Sequence, residues 1–146
     1  PPLDRVNAML SFIYTIFTRE YAAALESVGL DSYMGFYHSL RPGRESLACD
    51  LVEEGRCIVE RFVLTLINLK IIKPEDFDVQ VSGAVFLNDD GRKKVLSKWQ
   101  GKKRTDMIHP YLKEKIPMGL LPYVQSMLLA KFVRGEIDEY PCYLAR

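Results

Sequence analysis

Three side chains in this sequence have the types and spacing for cation chemistry: His38, Asp50 and Glu53. Asp50 and Glu53 are three apart, and a helix sets such a pair on one face. His38 lies in a stretch broken by Gly35, Pro42 and Gly43, which reads as a loop. The stretch after it carries apolar Leu47, Leu51, Ile58 and Phe62 at helical spacing. A loop folded back on that helix would bring an imidazole over two carboxylates. Carboxylate oxygen with one imidazole suits Mg2+ or Mn2+, and the nitrogen favours manganese. An ion of that kind polarises a phosphodiester and stabilises the departing oxygen. Two or three ligands do not complete a site. The residues alone also allow a plainer reading, in which the acids stand at the N-terminal end of a solvated helix, where the macrodipole favours negative charge, and His38 has no ligand role.

The same stretch carries a family resemblance. Gly35-Phe36-x-His38, the turn Arg41-Pro42-Gly43-Arg44, and Ser46-Leu47-Ala48-x-Asp50-Leu51-x-Glu53-x-x-Arg56 resemble the CRISPR-associated endonuclease-integrase, the subunit that inserts new spacers. Pro1 to Phe12 is similar to the helix that opens that family's C-terminal domain, and Ala23 to Asp31 and Leu66-Ile67-Asn68 are similar too. The likeness is close over the first half of the chain and looser beyond. It implies a transesterification in which the 3′-hydroxyl of a short DNA attacks a CRISPR repeat boundary, with hydrolysis at the same site. It implies His38 and Glu53 as ligands of Mn2+ or Mg2+, with Asp50 as an auxiliary carboxylate on the ion or a water. His38 as a general base is the weaker alternative, because a ring nitrogen bound to a metal cannot also accept a proton. Arg41, Arg44 and Arg56 could hold phosphates as bidentate donors, or form local ion pairs with Glu45, Glu54 or Glu60.

The resemblance also implies partners: DNA, as prespacer and repeat, a homodimer in the full-length protein, and a small subunit of the acquisition complex. The family's third ligand is a Glu in a helix before the position of Pro1, after an N-terminal β domain. Neither is expected within residues 1–146, so the chain reads as a C-terminal helical domain with an incomplete ligand set, inactive alone. Pro1-Pro2 without an initiator Met fits a fragment.

The elements that must position these groups are mainly helical. Asp4 can cap a helix running to about Ser27 and stopped by Gly29, with Val6, Leu10, Ile13, Phe17, Tyr21, Ala24 and Val28 as its apolar stripe. A second helix is expected from about Glu45 to Lys70, with Gly55 inside it at a cost of about 1 kcal/mol relative to Ala, a point where local packing can differ or the helix can bend. Val79 to Leu87, turning at Ser82-Gly83, reads as a small hairpin. Asn88 to Gly91 can cap a basic helix, on which Lys94, Lys98 and Lys102 share a face and Val95 and Trp99 turn away. That face is either solvated surface or a contact for a nucleic-acid backbone. Breaks fall at His109-Pro110 and Ile116-Pro117. Met118 to Arg134 is apolar on most sides, with Pro122 at its start or at a kink. The last residues, Glu136 to Arg146, carry no signal. The fold class is a mainly α helical bundle with one small β-hairpin.

Bulk properties narrow the choice. The chain has 146 residues, 48% hydrophobic and 27% charged, which suits one globular domain with a real core. Net charge is +1, yet residues 1–72 hold 7 basic and 9 acidic groups while Arg92 to Arg104 holds seven basic groups and no acid. Cys49, Cys57 and Cys142 form no disulfide framework, so a reducing, cytoplasmic setting is expected, with no thiol-rich zinc site. No stretch reads as a signal peptide, and the longest uncharged apolar run, Val6 to Thr18, is too short to span a bilayer. Two further readings stand beside the integrase domain: a non-catalytic helical module that binds nucleic acid through Arg92 to Arg104, and a protein-interaction bundle.

Overall fold

The computed structural model describes residues 1–31 and 46–143. Five helices form its body: α1 (Arg5–Ser27), α2 (Ser46–Glu54), α3 (Arg56–Asn68), α4 (Asp89–Lys103) and α5 (Leu121–Val133). Two antiparallel ladders join them. Strands β1 (Phe77–Val79) and β2 (Val85–Leu87) pair Phe77 with Leu87, and β3 (Asp106–Ile108) and β4 (Lys115–Pro117) pair Asp106 with Pro117. The mainly helical class and the first hairpin are as the sequence indicates. The second ladder is not, because its strands are three residues long and their proline-flanked ends read as breaks.

α1 begins where Asp4 Oδ1 accepts the Asn7 N–H at 2.8 Å. It buries Met9, Ile13, Phe17, Tyr21 and Leu25, a stripe at intervals of four. Val6, at the helix start, is 42% exposed and stays outside that stripe. The helix stops in a Schellman motif: Gly29 has φ +85°, its N–H donates to Glu26 O, and the Leu30 N–H donates to Leu25 O. α3 ends the same way with Lys70 in the left-handed position, φ 56°.

The expected second helix is two helices. The chain breaks at Gly55, between α2 and α3, where α1 packs so closely that a Cβ on Gly55 would stand 2.9 Å from Phe17 Cε2. Phe17 is fixed in turn, edge-on to Tyr21 and Trp99 at centroid separations of 5.0 and 5.3 Å, and Phe62 of α3 packs edge-on to Trp99 at 5.1 Å. Such pairs contribute about 0.5–1.5 kcal/mol each beyond burial. The Trp99 indole N–H is satisfied by Glu20 Oε1 at 2.8 Å. One aromatic centre thus ties α1, α3 and α4 together.

α5 starts at Leu121 with Pro122 in its first turn, so the proline marks the start of the helix and not a kink. It buries Leu121, Val124, Leu128 and Leu129 among apolar residues, and also the polar Gln125 and Ser126. No helix of the described residues is long and apolar enough to cross a membrane.

Candidate functional site

α2 is short and amphipathic, and the two acids of its motif differ in exposure. Asp50 is 1% exposed and engaged by a partner, beside buried Leu47, Leu51 and Val52. The Glu53 side chain is 49% exposed, and its Oε2 lies 2.8 Å from Arg56 Nη2. So the inner carboxylate is held and the outer one is presented. His38, Arg41 and Arg44 lie outside the described residues.

The surroundings of Glu53 are polar. Arg56 also stands near the Tyr14 hydroxyl across on α1. Burial, and then the Glu60 carboxylate, push that hydroxyl above its ordinary range, and the Arg56 charge opposes them. Arg56 is therefore in an ion pair, as one sequence reading allowed, and among the described residues its partner is Glu53. The pair is exposed on both sides, so it contributes at most about 1 kcal/mol and can be given up to a ligand.

Among the described residues, no three His, Cys, Asp or Glu side chains are grouped to hold a metal ion. The donors that α2 supplies are oxygens from Asp50 and Glu53, the type that Mg2+ and Mn2+ take. They fit part of a ligand set for such an ion. Cys49 is partly buried, and Cys57 and Cys142 are exposed free thiols.

The basic face of α4 divides in the same way. Asn88 Oδ1 caps the helix by accepting the Gly91 N–H at 2.9 Å. Lys94 Nζ lies 2.9 and 3.1 Å from the two Asp76 oxygens. Burial raises the Asp76 carboxyl, but the Lys73 N–H and the Lys94 ammonium outweigh it and hold the group below its usual range. Lys98 and Lys102 are exposed. Lys102 stands with Arg61 and Lys113 at the rim of a cleft of about 480 Å3, floored by Ile58, Met107 and Met118.

Directly behind Glu53 lies a buried polar cluster that the sequence reading missed. Glu54 accepts from the Tyr140 hydroxyl at 2.8 and 3.1 Å, from the Tyr143 N–H at 2.8 Å and from Gln125 Nε2 at 3.4 Å. Burial raises its carboxyl above the ordinary range, and these three donors partly offset that. Gln125 Nε2 also donates to Tyr140 Oη at 2.7 Å and to Pro141 O at 3.2 Å. The Gln125 carbonyl faces His109 Nε2 at 2.6 Å. His109 Nδ1 accepts the N–H groups of Tyr111 and Leu112, both at 3.2 Å, so the ring hydrogen sits on Nε2 and points at Gln125. His109 and Gln125 are 1% and 0% exposed. The segment from Tyr140 to Tyr143, silent in the sequence, is thus fastened to the end of α2. The only sequence signal was the polar Gln125 within an apolar helix. Near it, the hydroxyls of Tyr21 and Ser126 are buried without a hydrogen-bond partner among the described residues.

Comparison with known proteins gives the family. Residues 1–101 match the family model "CRISPR associated protein Cas1". The chain is 49% identical, over its full length, to CRISPR-associated endonuclease Cas1 1 of Chlorobaculum tepidum, covering 43% of that protein. It is 51% identical over 97% of its length to CRISPR-associated endonuclease Cas1 2 of Rhodospirillum rubrum, covering 41% of that one. The chain therefore spans less than half the length of these relatives. Among solved structures, a casposase bound to integration product is 26% identical over 97% of this chain and 41% of its own, with a TM-score of 0.87. A Cas1 protein from Thermotoga maritima is 25% identical over 94% of this chain, with a TM-score of 0.80. A family model that matches most of the chain, with a sequence about half identical to the relatives, leaves one assignment: the chain belongs to the CRISPR-associated Cas1 family.

Proposed function

We propose that this chain supplies the helical, cation-binding part of a DNA endonuclease-integrase for CRISPR spacer acquisition. The observation that carries this reading is the presentation of Glu53 on α2, next to Arg56, in a fold that matches a casposase bound to integration product with a TM-score of 0.87. Residues 1–146 correspond to the C-terminal part of the relatives, and the rest of the ligand set would come from outside this chain.

In this reading His38 and Glu53 hold Mn2+ or Mg2+, and Asp50 orients the site from the inner face of α2. When bound, the ion polarises a phosphodiester and stabilises the departing oxygen. Glu53 must then leave Arg56, whose guanidinium becomes free to grip a phosphate in a forked contact. Arg41 and Arg44 serve the same purpose from the preceding stretch. Lys98 and Lys102 hold the DNA backbone further out, where a single-signed face attracts it. Prespacer and repeat DNA, a second copy in the full-length protein and a small acquisition subunit are the partners, in the cytoplasm.

The test is strand transfer of a short DNA with a free 3′-hydroxyl into a repeat-containing duplex, in a polypeptide of the relatives' length. Glu53→Gln and His38→Ala should each lower the rate by at least about 100-fold, since a displacement of this kind relies on the ion for charge stabilisation. Retention of the rate in Glu53→Gln would rule the reading out. DNA binding without any metal-dependent transfer, in wild type as well, would favour the non-catalytic module.

A further inference from the structure

The buried cluster behind Glu53 uses groups that the proposed chemistry leaves aside. Glu54 is the last residue of α2 and points inward, whereas Glu53 points outward. The next residue, Gly55, is pressed against Phe17, so the end of α2 is pinned from one side by packing. From the other side it is pinned by Tyr140, Tyr143 and Gln125, which converge on the Glu54 carboxylate. Gln125 is itself held by His109 at 2.6 Å. A nine-residue helix has little stiffness of its own beyond its contacts. Its terminal direction is therefore set at these two points.

We infer that Glu54 is a positioning residue: by clasping the Tyr140–Tyr143 segment it fixes the end of α2, and with it the direction in which the Glu53 carboxylate is presented to its cation. The segment acts as a latch whose release would let Glu53 swing without removing any ligand. This inference rests on the reading of Glu53 as a cation ligand. It differs from a merely structural role because it ties latch closure to ion affinity. It also differs from ligation by Glu54, because a carbonyl oxygen can replace a carboxylate as hydrogen-bond acceptor but is a poor substitute as a charged ligand.

The experiment uses a polypeptide of the relatives' length with this chain as its C-terminal part. Mn2+ affinity is measured by titration of the free-ion electron paramagnetic signal, and the latch by hydrogen exchange of the Tyr143 amide, both well below the melting temperature. Tyr140→Phe keeps every carboxylate but removes the hydroxyl between Glu54 and Gln125. It should expose the Tyr143 amide to exchange and weaken Mn2+ binding roughly tenfold, the low end of what loss of a ligand's outer support costs. Glu54→Ala should do the same. Glu54→Gln, whose carbonyl can still accept from Tyr140 and the Tyr143 N–H, should restore most of both. Glu53→Gln should abolish the affinity and leave the Tyr143 amide protected.

Fast exchange in Tyr140→Phe with wild-type Mn2+ affinity would overturn the latch and leave Glu53 as ligand. Loss of affinity in Glu54→Gln as deep as in Glu53→Gln would make Glu54 a ligand and overturn positioning. Unchanged affinity in Glu53→Gln, or no Mn2+ binding by the wild type, would remove the ligand reading and the latch with it.

Discussion

Asp76 shows how a residue's surroundings decide its role. It is 2% exposed and meets the Lys94 ammonium at 2.9 Å, with the Lys73 N–H also donating to it at 2.9 Å. Its carboxyl is held below the ordinary range despite its burial. A depressed folded value means that the unfolded chain takes up its proton first as pH falls. The stability that Asp76 contributes is therefore full above the unfolded value of about 3.9 and is lost as pH drops through the folded value. Asp76→Asn should be less stable than wild type at pH 7 in urea unfolding, and the gap should close below about pH 4. A gap unchanged between pH 7 and pH 3 would mean that packing, not charge, carries the effect. At this scale the sequence was only partly legible. It marked Lys94 as one of three equal lysines, but an acid 18 residues away in sequence singles it out, and linear spacing does not show that.

At the scale of elements, helix starts and stops were legible because they are local. Asp4, Asn88, Gly29 and Pro122 act within one turn of their own position. At Gly55 the sequence allowed a bend in the second helix but not the neighbour packed there, Phe17, which stands on another helix. The two readings give opposite signs for one substitution. A glycine inside an undisturbed helix gains about 1 kcal/mol on change to alanine. A Cβ placed 2.9 Å from a ring packed on both sides overfills the core, and such overpacking costs about 1–3 kcal/mol. Gly55→Ala should therefore destabilise the chain in chemical denaturation, and a stabilised variant would mean that Phe17 does not close this position to a Cβ. The latch was hidden in the same way. Glu54 and Tyr140 are 86 residues apart, and an aromatic, polar tail has no period to betray a contact. The spacing of Asp50 and Glu53 was legible, since both sit within one short helix.

For the whole molecule, the proposed function puts a DNA-facing surface on α4. Each backbone phosphate neutralised adds about 0.9 to the slope of log affinity against log salt. Lys98→Ala and Lys102→Ala, both exposed on α4, should each lower that slope by about 0.9 in fluorescence-anisotropy titrations of duplex DNA. Lys94→Ala should mainly reduce stability, because its ammonium is committed to Asp76. Equal slopes in all three variants and wild type would take α4 off the DNA surface.

In the proposed function, α2 presents Glu53 to a cation shared with His38. The chain has two histidines, and both ring nitrogens of His109 are already engaged. A Mn2+-bound imidazole from this chain must then be His38. Electron spin-echo spectroscopy of the Mn2+-loaded polypeptide of the relatives' length should show a directly coordinated imidazole nitrogen. That signal should vanish in His38→Ala, and the bound Mn2+ itself should be lost in Glu53→Gln. A nitrogen coupling that persists in His38→Ala, or full Mn2+ occupancy in Glu53→Gln, would contradict it.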